Sequence, residues 1–309
     1  MNTTKSKVKT LILCSSFMFF SVAINAQDYY GGGGGGSWRR QQNNNQQPKD
    51  KDDKGTEPSG FISINFGFAT PEGNFAQPFS QGIYSSAVGI GYGNYALPGS
   101  SFHFSIGIPV SHSNFGVALM FGSYDNEYDL NNYVNALSNS NVNYNAYSTS
   151  PITYYQAAAS QNSYDESSIM GGLYVTFPIG RLSIDGRLMA GALLCSLPEQ
   201  NVDAYDAAGD ALQYDVEPSN STSIAFDAGL GIRFMLAEFG RRKLCIMANA
   251  DFLYSNVSYN TQQDVSVLPT TPPTGYPAGV PISLVPSPTV SGSLPIELLN
   301  ITFGIGYQL

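Results

Sequence analysis

The amino-acid sequence predicts an all-β protein: an eight-stranded antiparallel up-and-down transmembrane β-barrel with a disordered N-terminal segment. Three observations predict it. Apolar residues recur at every second position in eight segments, the positions between them are small and glycine-rich, and short and long connections alternate between the segments. The composition agrees, because only 12% of the 309 residues are charged, yet no apolar run beyond the N-terminus reaches the ~20 residues of a membrane helix. With 23 acidic against 14 basic residues, we also expect no nucleic acid as a partner.

The N-terminal residues predict an exported protein. Three lysines precede an apolar stretch at 11–23, and small residues end at Ala26, which together are typical of a signal peptide at 1–26. A membrane anchor is the alternative interpretation. Residues 27–59, with six consecutive glycines at 31–36 and a Gln/Asn tract, predict a flexible periplasmic tether, because they offer almost nothing to bury.

The alternating segments favour a barrel in lipid over a water-soluble sandwich. A soluble sheet would show Lys, Glu and Thr on its polar face. Here the polar faces are small and rich in Gly, with a few charges of both signs, and the apolar faces carry no charge. An apolar exterior around a polar interior is typical of a transmembrane barrel, which an even number of strands can close. The predicted strands are 61–68, 102–108, 115–122, 169–177, 182–192, 224–234, 244–254 and 300–309.

The connections indicate an orientation. Long segments rich in Asp and Glu and free of Lys and Arg alternate with short segments that carry Arg181, Arg241, Arg242 and Lys243. In outer-membrane barrels the short turns are periplasmic and the long loops external, so both termini are predicted to be periplasmic. The short connections are 109–114, 178–181 and 238–243, and the long external loops are 69–99, 125–167, 196–221 and 259–295.

Several short stretches carry a family resemblance. They are Gly-Phe-Ile-Ser-Ile-Asn at 60–65 with Pro-Glu-Gly-Asn-Phe at 71–75, Asn-Phe-Gly-Val-Ala at 114–118, Phe-Pro-Ile-Gly-Arg-Leu-Ser-Ile-Asp at 177–185 and Phe-Gly-Ile-Gly-Tyr-Gln-Leu at 303–309. In this order, through most of 60–309, the chain resembles the small outer-membrane β-barrel proteins of Bacteroidota, an OmpA-like transmembrane barrel family. The tether and the very long loops depart from that pattern.

The resemblance implies location and biogenesis more than activity. It implies contact with outer-membrane lipid and folding by the barrel assembly machinery. That machinery would read a C-terminal assembly signal at Phe303, Ile305, Tyr307 and Leu309.

The candidate site inside the predicted barrel is a group of charged residues on three neighbouring strands. An eight-stranded barrel is just wide enough to be filled by side chains, and buried charges there must pair. We therefore predict a structural ion-pair network that closes the lumen; the alternative is a narrow or gated conductance. Its members are Asp185, Arg187, Asp227, Arg233 and Asp251.

The sequence shows no sign of an enzyme, a cofactor or a metal site. His103 is a lone inward histidine, accompanied only by His112 in a turn, so no nucleophile and base converge. No Cys/His spacing indicates a metal, and Cys195 and Cys245 are expected at opposite ends of the barrel, too far apart to bridge.

The loops leave the function open. Their Tyr/Asn/Ser composition is shared with binding surfaces, which makes Tyr144, Tyr147, Tyr154 and Tyr155 candidate contacts for an external ligand or host surface. The sequence favours a non-enzymatic, monomeric barrel in envelope structure or surface interaction. The alternatives are a small pore or gated channel, or an accessory barrel of a secretion or assembly machine reached through the tether.

Overall fold

The computed structural model describes residues 60–76, 95–110, 114–132, 152–158, 163–206, 208–239, 242–270, 282–285 and 289–308. The predicted signal peptide and tether, at 1–59, lie outside these residues. Within the described ranges no helix combines the length and apolarity needed to cross a bilayer.

Eight antiparallel strands form a closed barrel. Each pairs with its neighbour in chain order, and the last strand pairs both with the strand before it and with the first, from Phe61 opposite Gln308 to Pro71 opposite Leu298. Closure satisfies the backbone amides and carbonyls along the whole ring, which a spanning sheet requires in lipid. The predicted fold class is confirmed. The strands are β1 (Phe61–Pro71), β2 (Gly99–Pro109), β3 (Phe115–Glu127), β5 (Ser163–Ile179), β6 (Leu182–Leu197), β9 (Ser219–Phe239), β10 (Arg242–Leu268) and β12 (Thr289–Gln308).

The short connections fall where the sequence predicts them. β2 and β3 are joined across 110–114, β5 and β6 across 180–181, and β9 and β10 across 240–241. The β5–β6 turn uses Gly180 at a φ of +63°, a conformation that side chains with a Cβ rarely adopt. Because Phe61 also pairs with Gly107, and Lys243 with Gln308, the barrel's first and last strands start and end on the short-turn side.

At the opposite end the predicted loops contain additional β-structure. The additional strands are β4 (Ile152–Ala158), β7 (Gln200–Asp206), β8 (Ala211–Val216) and β11 (Ile282–Val285). β8 pairs with the outer part of β10, β7 pairs with β8, and β4 pairs with β7, while β11 pairs with β10 separately. A one-turn helix, α1 (Gly73–Ala76), follows β1. The predicted external loops 125–167, 196–221 and 259–295 include these strands and the ends of β3, β5, β6, β9, β10 and β12.

The exterior of the barrel carries an apolar belt. On β5, Ile169, Leu173, Phe177 and Ile179 point outward and are 48–64% exposed. They span eleven residues, which matches the 9–11 residues that a tilted strand needs to cross the hydrocarbon. Beyond them on β5, the outward positions are Ser163, Asp165 and Ser167, so we take 169–179 as the membrane-spanning part of this strand.

The alternation changes phase above this belt. On β10, the outward Ile246, Phe252 and Tyr254 are exposed apolar residues, whereas the next apolar residues, Val257 and Tyr259, point inward and are buried. β12 shows the same change in the opposite chain direction: starting from its outer end, inward Leu294, Ile296 and Leu298 precede outward Ile301, Phe303 and Ile305. The strands therefore have a lipid-facing part and an outer part whose apolar side chains form an internal core, as in a water-soluble β-protein.

Candidate functional site

Two ion pairs lie inside the membrane-spanning part of the barrel. Arg187 on β6 reaches across the lumen to Asp251 on β10, with Nε donating to Oδ1 at 2.7 Å and Nη2 to Oδ2 at 2.6 Å. Nearer the short-turn end, Arg233 on β9 places Nε 2.6 Å from Asp185 Oδ2 and donates from Nη2 to Asp185 Oδ1 at 2.6 Å. The structure thus brings four of the five predicted network residues together in two pairs.

The lower pair is tied into its surroundings. Thr176 on β5 donates its hydroxyl to Asp185 Oδ1 at 2.6 Å and accepts a hydrogen bond from Arg233 Nη2 at 2.8 Å. The Arg233 guanidinium also lies 4.8 Å from the ring centroid of Phe61, whose edge packs against Tyr174. Charge, hydroxyl and aromatic groups from four strands therefore fill this level of the lumen.

Asp227 stands apart from the predicted network. It is buried, and neither of its carboxylate oxygens has a hydrogen-bond partner in the described part of the chain. The Nε and Nη2 atoms of Arg187 donate to Asp251. His103 is buried nearby, with Nδ1 3.8 Å from Asp251 Oδ2 and its ring 5.5 Å from that of Tyr124.

Glycines on the inner wall make room for these groups. A Cβ at Gly229, which lies opposite Asp251 in the β9–β10 ladder, would overlap Asp251 Oδ1 and come within 2.9 Å of Arg187 Nε. Gly116 and Gly107 leave the same kind of room for the rings of Tyr174 and Phe61. The glycine-rich inner face recognised in the sequence thus makes room for large residues on the neighbouring strands.

The outer end of the lumen is filled by an apolar core. Inward Leu193, Leu197, Leu253 and Val257 pack with the three buried apolar residues of β12, Leu294, Ile296 and Leu298, in one cluster. The polar interior predicted from the sequence therefore holds only within the membrane-spanning part. A change of alternation phase along β10 and β12 is the signal in the sequence that could have revealed this core.

Helix α1 closes this outer core. Phe75 is fully buried, and its ring centroid lies 5.0 Å from that of Tyr164, which in turn lies 5.9 Å from Tyr128. The backbone N–H of Ala96 donates to the carbonyl of Phe75, and Asn74 N–H donates to Glu297 Oε2 at 3.1 Å. Tyr128 and Tyr164, which lie within the predicted external loop 125–167, are buried next to this cap.

Glu166 is a buried carboxylate just above the apolar belt. It points inward from β5 between Tyr124 and Cys195, is 1% exposed, and has no hydrogen-bond partner for either oxygen among the described residues. Burial first, and then the neighbouring carboxylates of Asp165 and Asp125, raise the pKa of Glu166 well above its ordinary value. Sequence reasoning missed this residue, because its neighbours have the composition of an exposed acidic loop.

The remaining predicted residues fall in different places. Phe303 and Ile305 face outward in the apolar belt and Tyr307 is partly exposed, while Leu309 lies outside the described residues. Tyr154 and Tyr155 lie in β4 opposite Tyr205 and Ala204 of β7. Tyr144 and Tyr147 lie outside the described residues.

The cysteine, histidine and acidic side chains in the described part of the chain do not form a metal centre. Cys195 and Cys245 are buried free thiols. Cys195 lies near the outer end of β6, opposite Glu166 in the β5–β6 ladder, and Cys245 lies near the start of β10, opposite Gly306 in the β10–β12 ladder. No group of three or more His, Cys, Asp or Glu side chains among the described residues has a geometry that could hold a metal ion.

No protein-family model matches the sequence, and no curated protein matches it. Solved structures that align with this chain include a major outer membrane protein from Thermus thermophilus. The alignment has a TM-score of 0.37 and 9% sequence identity, and it covers 81% of this chain and 98% of that one. Two others are the outer membrane protein AlkL in DMPC bilayers (TM-score 0.30, 15% identity, 89% and 96% covered) and the β domain of the Bordetella autotransporter BrkA (0.25, 9%, 81% and 98%). The fold is established by the barrel's own strand order and closure.

Proposed function

We propose that this chain is a non-enzymatic integral outer-membrane protein whose barrel anchors an ordered external β-structure, serving envelope structure or surface interaction. The observation that carries the proposal is the change of alternation phase along β10 and β12. Apolar side chains face outward over a bilayer thickness and inward beyond it. The same strands are therefore suited to lipid in one part and to water in the other.

The packing of the lumen supports a closed barrel. The lower level is filled by Phe61, Tyr174 and the Arg233–Asp185 pair, and the Arg187–Asp251 pair lies above it. At the outer end lies the apolar core, which includes Phe75. Three filled levels in series leave the small-pore alternative without a supporting observation.

The length of the strands supports a surface role. β10 has 27 residues and would span about 90 Å if fully extended, three times the ~30 Å of hydrocarbon that it must cross. The excess length pairs with β8 and β11 and builds structure beyond the membrane. We place that structure on the outside and both termini in the periplasm, because the chain's short turns lie at the end where β1 begins and β12 ends.

Recordings in planar bilayers test the closed barrel. Folded full-length mature protein is expected to give no steady conductance, while a general porin inserted in the same bilayers gives the usual steps. Stable, porin-sized steps from the purified chain would contradict the proposal and favour the channel alternative.

A further inference from the structure

Directly above the apolar belt, the outer surface of β9, β10 and β12 is an uncharged polar face. Its six central residues point outward and are exposed, and we call them the outer polar face: Thr222, Asn256, Ser258, Asn260, Ser291 and Ser293. Ser258 lies opposite Ser293 and Asn260 opposite Ser291 in the β10–β12 ladder. Ser221, beside Thr222, donates its hydroxyl to the carbonyl of Ser258, which holds β9 alongside.

The height of this face is fixed by the residues beneath it. On β9, Ile224 and Phe226 are 71% and 56% exposed, and on β10 Phe252 and Tyr254 are each 42% exposed. Asn256 is two residues beyond Tyr254, a rise of about 7 Å along the strand. The outer polar face is therefore continuous with the lipid-facing surface and begins at the level of the lipid headgroups.

The chemistry of the face selects a neutral, hydroxyl-rich ligand. Carboxamide and hydroxyl groups both donate and accept hydrogen bonds, as sugar hydroxyls do. A phosphate-bearing headgroup would call for Lys or Arg, and the face has neither. The nearest carboxylate on β12, Glu297, accepts a hydrogen bond from the backbone of Asn74. Tyr254 adds an exposed aromatic ring at the lower edge, suited to stack on the apolar face of a sugar ring.

From this geometry we infer that the outer polar face binds the neutral sugars of a glycolipid in the outer leaflet. The inference rests on the proposed membrane location, because that location sets which molecules surround the face. The glycolipid's acyl chains lie against the belt of β9 and β10, and its neutral hexoses lie against the amides and hydroxyls above. A bound glycolipid thereby extends the contact of the barrel with the membrane beyond the hydrocarbon.

Native mass spectrometry of the full-length mature protein in detergent tests this inference. The probes are lipopolysaccharide that carries neutral outer-core hexoses, truncated lipopolysaccharide that lacks them, and phosphatidylglycerol. The wild-type chain is expected to bind the hexose-bearing form at least about fivefold more tightly than the truncated one, the effect of roughly one net hydrogen bond. Equal binding of the two forms would overturn the inference.

Matched variants assign the preference to the face. The double variants N256A/N260A and S258A/S293A are each expected to lose the preference for hexose-bearing glycolipid, while N114A, an exposed asparagine in a short turn, keeps it. A preference that survives both double variants would overturn the inference. So would a change in the dimer population in place of a change in glycolipid binding, since the face would then join two copies of the chain.

A separate measurement tests the proposed membrane location. Electrophoretic mobility before and after heating reports the folded barrel in every sample. A heat-modifiable chain without hexose preference contradicts only the glycolipid inference, whereas a chain with no heat-modifiable form contradicts the membrane barrel and the inference that rests on it.

Discussion

Arg187 and Asp251 form a two-pronged ion pair across the inside of the barrel, joining β6 to β10 through hydrogen bonds of 2.7 and 2.6 Å. The two strands are not neighbours in the sheet, since β9 lies between them. Asp251 is fully buried and Arg187 nearly so. The pair therefore ties the walls of the lumen together at a buried level, where an unpaired charge would be costly.

Breaking this pair from one side should destabilise the barrel strongly. R187A leaves Asp251 buried without its partner, and the expected loss in the free energy of unfolding is about 3–5 kcal/mol. Urea unfolding from lipid vesicles measures it. The double variant R187M/D251L, which removes both charges and restores volume, is expected to recover most of the loss. Equal destabilisation by the single and double variants would show that the pair itself contributes little.

Gly229 should be irreplaceable by alanine because of the same pair. The added Cβ would overlap Asp251 Oδ1 and crowd Arg187 Nε, so G229A is expected to lose about 1–3 kcal/mol. The control is G171A, whose Cβ would face outward with its nearest neighbour, the carbonyl oxygen of Ala118, 3.9 Å away. The two variants are compared in the same vesicle unfolding assay. If G229A is as stable as G171A, the lumen is more loosely packed than described.

Phe75 should hold the cap on the outer core. F75A empties a fully buried site next to Tyr164. We expect a loss of about 3–5 kcal/mol in the free energy of unfolding, confined to local unfolding at the outer end of the barrel. Hydrogen exchange of the amides in 72–76 and 95–97 is expected to accelerate, while exchange in the membrane-spanning strands stays slow. F66A, which removes a 62% exposed ring from the lipid face, should leave exchange in the cap unchanged.

Glu166 should make stability depend on pH. Because its folded pKa is raised, the protonated form is favoured on folding, and stability falls as pH rises from the unfolded pKa near 4.5 towards the folded pKa. E166Q is expected to be more stable than wild type at pH 8 and to lose this part of the pH dependence. Urea midpoints at pH 4.5 and pH 8 measure the effect, with E127Q at an exposed position as control. A parallel pH response in wild type and E166Q would assign the dependence elsewhere.

The membrane-spanning part of the fold could be predicted from the sequence because one physical rule governs it. Lipid outside and packed side chains inside impose a single alternation phase, which located all eight strands and the three short turns. Asp185 and Arg233 lie close together in the β6–β9 ladder, where Arg233 is opposite Ser183, two residues from Asp185. Their pairing required only that buried charges find partners.

The outer structure could not be predicted by the same rule, because the rule changes there. Val257 and Tyr259 face inward while Phe252 and Tyr254 face outward, so an interpretation that expects apolar residues on one set of alternate positions ends the strand at Tyr254. Burial of Tyr164 and Glu166 depends on contacts with α1 and β6 that are distant in sequence. Among the described residues, Asp251 binds Arg187 while neither carboxylate oxygen of Asp227 has a hydrogen-bond partner, and strand counting does not reveal this difference.

The central claim is that the chain crosses a membrane as a closed barrel, and electrophoretic mobility of protein folded into lipid vesicles tests it most directly. Unheated protein should migrate as a compact form that shifts to the position of the unfolded chain after boiling. Added protease should leave a protected fragment that contains the membrane-spanning strands. No shift on heating, together with complete digestion before heating, would contradict the claim.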